Sequence, residues 1–77
     1  LDGPTRLLER LMLGLRTSEG LDLQAESERL GVTGWTTARR RAAARLEQEG
    51  KLLCTGDRIA IAPDAWILAD GIISSLA

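Results

Sequence analysis

A chain of 77 residues with ten basic and eleven acidic side chains is long enough for one domain and carries a net charge of only −1. This near-neutral balance excludes a global field that would attract nucleic acid or acidic lipid, and the single cysteine, Cys54, excludes an internal disulfide. No targeting peptide and no apolar run near the roughly 18 residues of a membrane span are present, so we expect a cytoplasmic protein.

The first predicted element is an amphipathic helix that ends at about Arg16. Pro4 suits the first turn of this helix, and Asp2 or Gly3 can stand just ahead of it. Leucines at three- and four-residue spacing form one apolar side, which Met12 widens: Leu7, Leu8, Leu11 and Leu15.

Leu13 and Gly14 do not follow this pattern. Leu13 falls on the polar side of the helix, and a glycine in a helix interior costs roughly 1 kcal/mol relative to alanine. A bare stretch of backbone beside a misplaced leucine suits a second packed surface. The simpler interpretation is one exposed leucine and one tolerated glycine.

The middle of the chain predicts a brief strand and two further helices. The strand covers 21–23, and Asp22 is a candidate N-cap for a helix over 24–30. A four-residue turn with glycines at both ends leads into the longest predicted helix, 35–49, in an arrangement typical of a helix-turn-helix. The apolar side of this helix is predicted to carry Trp35, Ala38, Ala42 and Leu46.

A hairpin and a last helix complete the chain. Strands over 52–55 and 58–61 flank Gly56 and Asp57, and a glycine at the first central position suits a two-residue type II′ turn. Pro63 begins the last helix, in which Ile67 lies off the apolar side. That apolar side is predicted to contain Trp66, Ala69, Ile72, Ile73 and Leu76.

These elements predict a mostly helical α+β fold. The order of helix, short strand, helix, turn, helix, two-stranded wing and helix describes a small winged-helix-like domain. We expect about four helices and a short sheet of two or three strands.

The first helix and its exit turn carry a motif. The stretch from Glu9 to Arg16 reads Glu-x-Leu-Met-Leu-Gly-Leu-Arg, and Glu-Gly-Leu follows at 19–21 after a short polar gap. This motif resembles the opening of the C-terminal domain of the oxygen-independent coproporphyrinogen III oxidase-like family. Those radical S-adenosylmethionine proteins include a branch described as heme chaperones. Looser similarity continues through 49–52, Pro63 and 70–73.

The resemblance implies a role for the chain within a larger protein. Residues 1–77 would be a single C-terminal accessory domain, which fits a sequence that begins at Leu1 without an initiator methionine. The parent would carry an upstream barrel with a [4Fe–4S] cluster on a Cys-x3-Cys-x2-Cys motif, S-adenosylmethionine, and porphyrin or heme as the molecule handled. None of those cysteines is in this chain, so no cofactor ligand is assigned here. Oxidase and heme chaperone both stay open for the parent.

An arginine cluster at 39–45 offers DNA binding as a second interpretation. In a winged helix, Arg40 and Arg41 would face solvent on the helix that reads bases, with Lys51 and Arg58 near the wing. The acidic two-residue wing tip, the lack of asparagine on this helix and the slightly acidic whole chain argue against it. A solvated or interdomain face is favoured, and nucleic acid is an unexpected partner.

The inventory of reactive side chains argues against catalysis by this chain alone. It has no histidine, and Cys54 lies in a predicted strand between apolar neighbours, where an inert buried thiol is expected. No glycine-rich loop has phosphate-binding spacing. We therefore predict no catalytic, cofactor-binding or metal-binding residue.

An accessory role would place residues of the first and last helices against the barrel. We expect the interdomain contact to involve Glu9, Leu13, Gly14, Arg16 and Ile67, which are the motif residues and the misplaced apolar side chains. For Arg16 the alternative is a helix-end cation that interacts with the last carbonyls. A generic protein-interaction module, with Leu13 and Ile67 facing another partner, is the third interpretation.

Overall fold

The computed structural model describes residues 2–77 and has the predicted order of elements. Four α-helices and a three-stranded antiparallel sheet confirm the mostly helical α+β fold. The elements are α1 (Gly3–Leu15), β1 (Leu21–Asp22), α2 (Leu23–Leu30), α3 (Thr37–Gln48), β2 (Leu52–Thr55), β3 (Arg58–Ile61), a 3₁₀ segment (Pro63–Leu68) and α4 (Ala69–Leu76).

Side-chain caps begin the first three helices. The Asp2 carboxylate accepts a hydrogen bond from the Thr5 backbone N–H at 2.8 Å. Hydrogen bonding by the Thr5 side chain and, second, by this N–H lowers the pKa of Asp2. The predicted cap Asp22 accepts from the backbone N–H of Ala25 at 2.9 Å. Thr36 caps α3 in the same way, and α2 ends at a glycine in the left-handed conformation.

The sheet joins the brief first strand to the hairpin. Its strand order is β1-β3-β2, with Leu21 opposite Ile59 and Thr55 opposite Arg58. This register leaves Gly56 and Asp57 as the two-residue turn, and Gly56 has the positive φ of 60° that favours glycine. The sheet packs on one side against helices, so its inward residues join the core.

One hydrophobic core unites all the elements. The first helix contributes a stripe of leucines at i, i+4 spacing, and α3 packs against α4 and β2. The side chains that are at most 2% exposed are Leu7, Leu11, Leu15, Leu23, Leu52, Ile59, Ile61, Ile72 and Leu76, together with Ser27.

The third helix differs from its prediction in its start and in its buried side. It begins at Thr37, so Trp35 precedes it. Ala38 is exposed and Ala43 is buried, because the buried side is centred on Arg39. That guanidinium donates to two backbone carbonyls, which gives hydrogen-bond partners to a charged group on the buried side of the helix.

The last helix and α1 also depart from their predicted patterns. The six residues that follow Ala62 form a 3₁₀ segment, and a regular α-helix begins only at Ala69. Ala65 is buried, whereas Trp66 and Ala69 are half-buried. Met12 was predicted to widen the buried side of α1, but it is 45% exposed because the core takes only the narrow leucine stripe.

No helix in the described part of the chain, residues 2–77, is long and apolar enough to cross a membrane.

Candidate interdomain surface

Leu13 is the exposed apolar residue of α1 that the pattern singled out. The helix turns Leu11 and Leu15 inward, where both are fully buried, and this phase places Leu13 on the opposite side. Its side chain is 67% exposed, and that of the adjacent Met12 is 45% exposed. The outer side of α1 therefore presents two large apolar side chains that the domain does not bury.

Gly14 has a packing role inside the domain. A Cβ atom at this position would lie 2.7 Å from Cβ of Leu21, which is closer than such atoms approach. The glycine thus allows α1 to approach the first strand of the sheet. The motif glycine has this explanation without any external partner, and its contribution to an interdomain contact stays a prediction.

Arg16 joins α1 to α4. It follows the last residue of α1 and its guanidinium donates to Oδ1 of Asp70 at 2.9 Å, across 54 residues of sequence. Both side chains are largely exposed, so the pair contributes little stability. The partner of the Arg16 guanidinium is therefore the Asp70 carboxylate and not a carbonyl at the end of α1. Those carbonyls accept hydrogen bonds from the backbone N–H groups of Arg16 and Thr17.

Ile67 is the most exposed large apolar residue of the described chain, at 92%. It lies in the 3₁₀ segment, and its neighbour Leu68 is 48% exposed. The sequence pattern did not single out Leu68. Glu9 is exposed on α1, one turn before Leu13.

Three of the five predicted interface residues line two grooves, and Glu9 and Arg16 line neither of them. Leu13 and Gly14 line a groove between α1, β1 and α2, whereas Ile67 lines another groove between the end of α3 and α4. The Arg16–Asp70 pair connects the end of α1, which carries Leu13, to α4, which follows the 3₁₀ segment of Ile67. The structure therefore gathers Leu13 with Gly14 and keeps Ile67 apart from them.

The basic residues of the DNA-binding interpretation are dispersed. Arg40 lies over the ring of Trp35 at 5.5 Å from the centroid, and Arg41 is exposed on α3. Lys51 pairs with Glu49 at 3.2 Å and lines the groove of Ile67. Arg58 lines the other groove and donates to the backbone carbonyl of Glu19 at 3.1 Å. Neither of the two grooves described above holds more than one of these four cations.

Cys54 is the one thiol of the chain and lies half-buried in β2. Burial and, to a smaller extent, the negative charge of Glu47 raise the pKa of Cys54, which favours the neutral thiol over the nucleophilic thiolate. Within residues 2–77 no group of three histidine, cysteine, aspartate or glutamate side chains could hold a metal ion. A cluster that needs three cysteines does not fit a chain with one.

Comparison with known proteins gives one match. The family model described as the HemN C-terminal domain matches residues 1–68, which is most of the chain and includes α1, the sheet, α3 and the 3₁₀ segment. No curated protein and no solved structure matches the chain significantly. The motif of α1 and the match over residues 1–68 agree, and the chain belongs to the HemN C-terminal domain family.

Proposed function

We propose that this domain is the C-terminal accessory domain of a radical S-adenosylmethionine protein that resembles oxygen-independent coproporphyrinogen III oxidase. In this proposal the domain packs against the catalytic barrel of the same polypeptide and helps to enclose its cleft. The barrel would hold the [4Fe–4S] cluster and S-adenosylmethionine, and the parent would act on porphyrin or deliver heme. Membership of the HemN C-terminal domain family supports this role.

The observation that carries the proposal is the exposure of Leu13 on the outer side of α1. The domain buries the leucines on the inner side of the same helix completely, so its core has no need of a further leucine there. Removing a leucine side chain from water stabilises an interface by about 1.5–3 kcal/mol. Leu13 lies within the motif that carries the family resemblance, which supports a partner common to proteins of this kind.

The exposed Ile67 supports the same role from the other groove. An isoleucine that is 92% exposed has almost its whole side chain available to a partner. Contact through both Leu13 and Ile67 would fix the orientation of the domain on the barrel, because two separated points resist rotation better than one. Arg16 and Asp70 would then keep α1 and α4 in a constant relation within the domain.

The test replaces Leu13 in the full-length parent. Leu13→Glu places a charge at the proposed contact, and we expect docking to weaken by about tenfold, since burial of the exposed two thirds of Leu13 contributes about 1–2 kcal/mol. Limited proteolysis between barrel and domain measures docking, because the cleavage rate follows the undocked population when opening is fast. The parent's activity should fall in parallel.

Leu53→Glu is the matched control. Leu53 is 52% exposed on β2 and lies outside both grooves, so this variant introduces the same charge at a comparable leucine without affecting docking. Circular dichroism checks that both variants fold. If Leu13→Glu is folded and its docking and activity equal those of the unchanged parent, the proposed function is wrong.

A further inference from the structure

The groove beside Leu13 has apolar walls and basic residues at its rim. It lies between the second half of α1, the first strand and α2. Leu13 and Leu21 contribute apolar surface, and Arg10, Arg29 and Arg58 contribute guanidinium groups. We call this surface the arginine-rimmed groove.

The close approach of α1 to the sheet shapes this groove. Gly14 has no side chain, so its backbone lies against Leu21. The Leu21 side chain is buried and only 6% exposed. Leu13 stands beside this contact with two thirds of its surface exposed. An incoming aliphatic side chain would thus find an apolar wall without any rearrangement of the core.

The two acidic residues of the groove, Asp22 and Glu26, each have a partner for one carboxylate oxygen within the domain. The Asp22 carboxylate caps α2 by accepting from Ala25 N–H at 2.9 Å. Oε1 of Glu26 pairs with Arg29 at 3.0 Å, whereas Oε2 of Glu26 is buried without a hydrogen-bond partner among residues 2–77. These contacts compensate one of the three cations and hold both carboxylates in place.

Two cations of the rim have no such compensation. Within the described chain, neither Arg10 nor Arg58 forms an ion pair with a carboxylate. Arg58 uses one nitrogen, Nη1, to donate to the carbonyl of Glu19 at 3.1 Å and keeps its other donors. The charged residues that line the groove are three arginines, Asp22 and Glu26, so its net charge is +1, and guanidinium groups pair best with planar anions such as carboxylates.

From this arrangement we infer that the arginine-rimmed groove receives a segment of the parent's barrel that presents an aliphatic side chain beside aspartate or glutamate. The aliphatic side chain packs on Leu13, and the carboxylates pair with Arg10 and Arg58. This inference rests on the proposed function and adds to it the chemistry of the partner. Charge complementarity at the rim also gives the docking its specificity and its dependence on salt.

Carbodiimide coupling in the full-length parent tests for the carboxylate directly. Arg10→Lys keeps the charge and supplies an amine, which the reagent joins to a carboxylate in direct contact. Peptide mass spectrometry should then find Arg10→Lys joined to an aspartate or glutamate of the barrel. Arg41→Lys is the matched control, because Arg41 is exposed on α3 away from the groove and should give no such product.

Charge reversal gives an independent measurement. Arg10→Glu combined with Arg58→Glu should raise the proteolytic cleavage rate between barrel and domain by about tenfold, which corresponds to 1.4 kcal/mol. Arg41→Glu should leave that rate unchanged. Circular dichroism confirms that the domain stays folded, and Arg10→Glu alone serves as the second variant if the pair disrupts β3.

The outcomes separate this inference from the function on which it rests. If Leu13→Glu weakens docking while charge reversal has no effect and no barrel carboxylate couples, the domain docks but the acidic partner is wrong. Coupling to another copy of the chain would also overturn the inference, because the occupant would then be a second molecule. If Leu13→Glu leaves docking and activity intact, the proposed function itself fails.

Discussion

The arginines of α3 and the exposed leucine of α1 differ in their relation to the rest of the domain. On α3, Arg39 donates to the carbonyls of Leu76 at 2.9 Å and Gly34 at 3.0 Å, and Arg40 lies over Trp35. On α1, Leu13 is two-thirds exposed. The cluster of charges thus serves its own domain in part, whereas the isolated leucine offers surface that the domain leaves uncovered.

This difference shows how to interpret an unusual residue on a helix. A run of arginines invites a nucleic-acid interpretation, but long guanidinium side chains also reach carbonyls and rings within a small domain. An apolar residue on a polar side has no comparable use within the same helix. For this chain, the misplaced leucine is therefore the better indicator of an external contact.

The largest expected effect is on the free energy of unfolding, when a buried leucine of α1 is compared with an exposed one. Leu11→Ala removes a fully buried side chain and should lower the free energy of unfolding by about 2–5 kcal/mol. Leu13→Ala should change it by less than about 0.5 kcal/mol, since Leu13 is mostly exposed. Urea unfolding of both variants measures the contrast. A similar loss for the two would mean that Leu13 belongs to the core.

A second contrast lies within the arginine cluster. Arg39→Ala removes two hydrogen bonds from a charged donor to backbone carbonyls, and we expect a loss of about 1.5–3 kcal/mol. Arg41→Ala should be within about 0.5 kcal/mol of the unchanged protein, because Arg41 is exposed. Thermal and urea unfolding both measure this. Equal stability of the two variants would contradict a structural role for Arg39.

Two helical glycines provide the third test. Gly14→Ala should destabilise the domain by about 1–2 kcal/mol, because the added Cβ would meet Leu21 and outweigh the better helix propensity of alanine. Gly71→Ala meets nothing within 4 Å and should stabilise α4 by up to about 1 kcal/mol. If Gly14→Ala also stabilises the domain, the approach of α1 to the sheet is looser than described.

The smallest expected effect concerns the ion pair between α1 and α4. A double-mutant cycle with Arg16→Ala and Asp70→Ala should give a coupling of about 0.2–1 kcal/mol, because both side chains are exposed. High salt should reduce it further. In the full-length parent, a larger effect of Arg16→Ala than of Asp70→Ala on docking would show a direct contact between Arg16 and the barrel. Equal effects would assign Arg16 to the positioning of α4.

Local rules were sufficient for most of the fold. Asp2 and Asp22 were recognisable as caps, and the pair Gly56–Asp57 indicated the hairpin turn before any contact was known. These features depend on residues at most four positions apart. The exposure of Leu13 and Ile67 followed in the same way, because helical periodicity alone places a residue on one side or the other.

The candidate surface was predicted only in part. The sequence identified Leu13 and Ile67 as surplus apolar residues, but it gave no sign that they line separate grooves. It also missed Leu68 and assigned Met12 to the buried side. Groove membership depends on the angles at which helices and sheet pack, and periodicity within one element contains no information on those angles.

The sequence by itself determined the order of the helices and strands, though not the 3₁₀ geometry at Pro63–Leu68, since caps, turns and hydrophobic spacing act within a few residues. Only the tertiary structure decided that the backbone of Gly14 packs against Leu21. It also decided that Arg16 pairs with Asp70 and that Arg39 donates to the carbonyl of Leu76 at the end of α4. Each of these contacts joins different elements of the chain. The physical reason is that a side chain's partner is fixed by packing, and packing is a property of the whole domain.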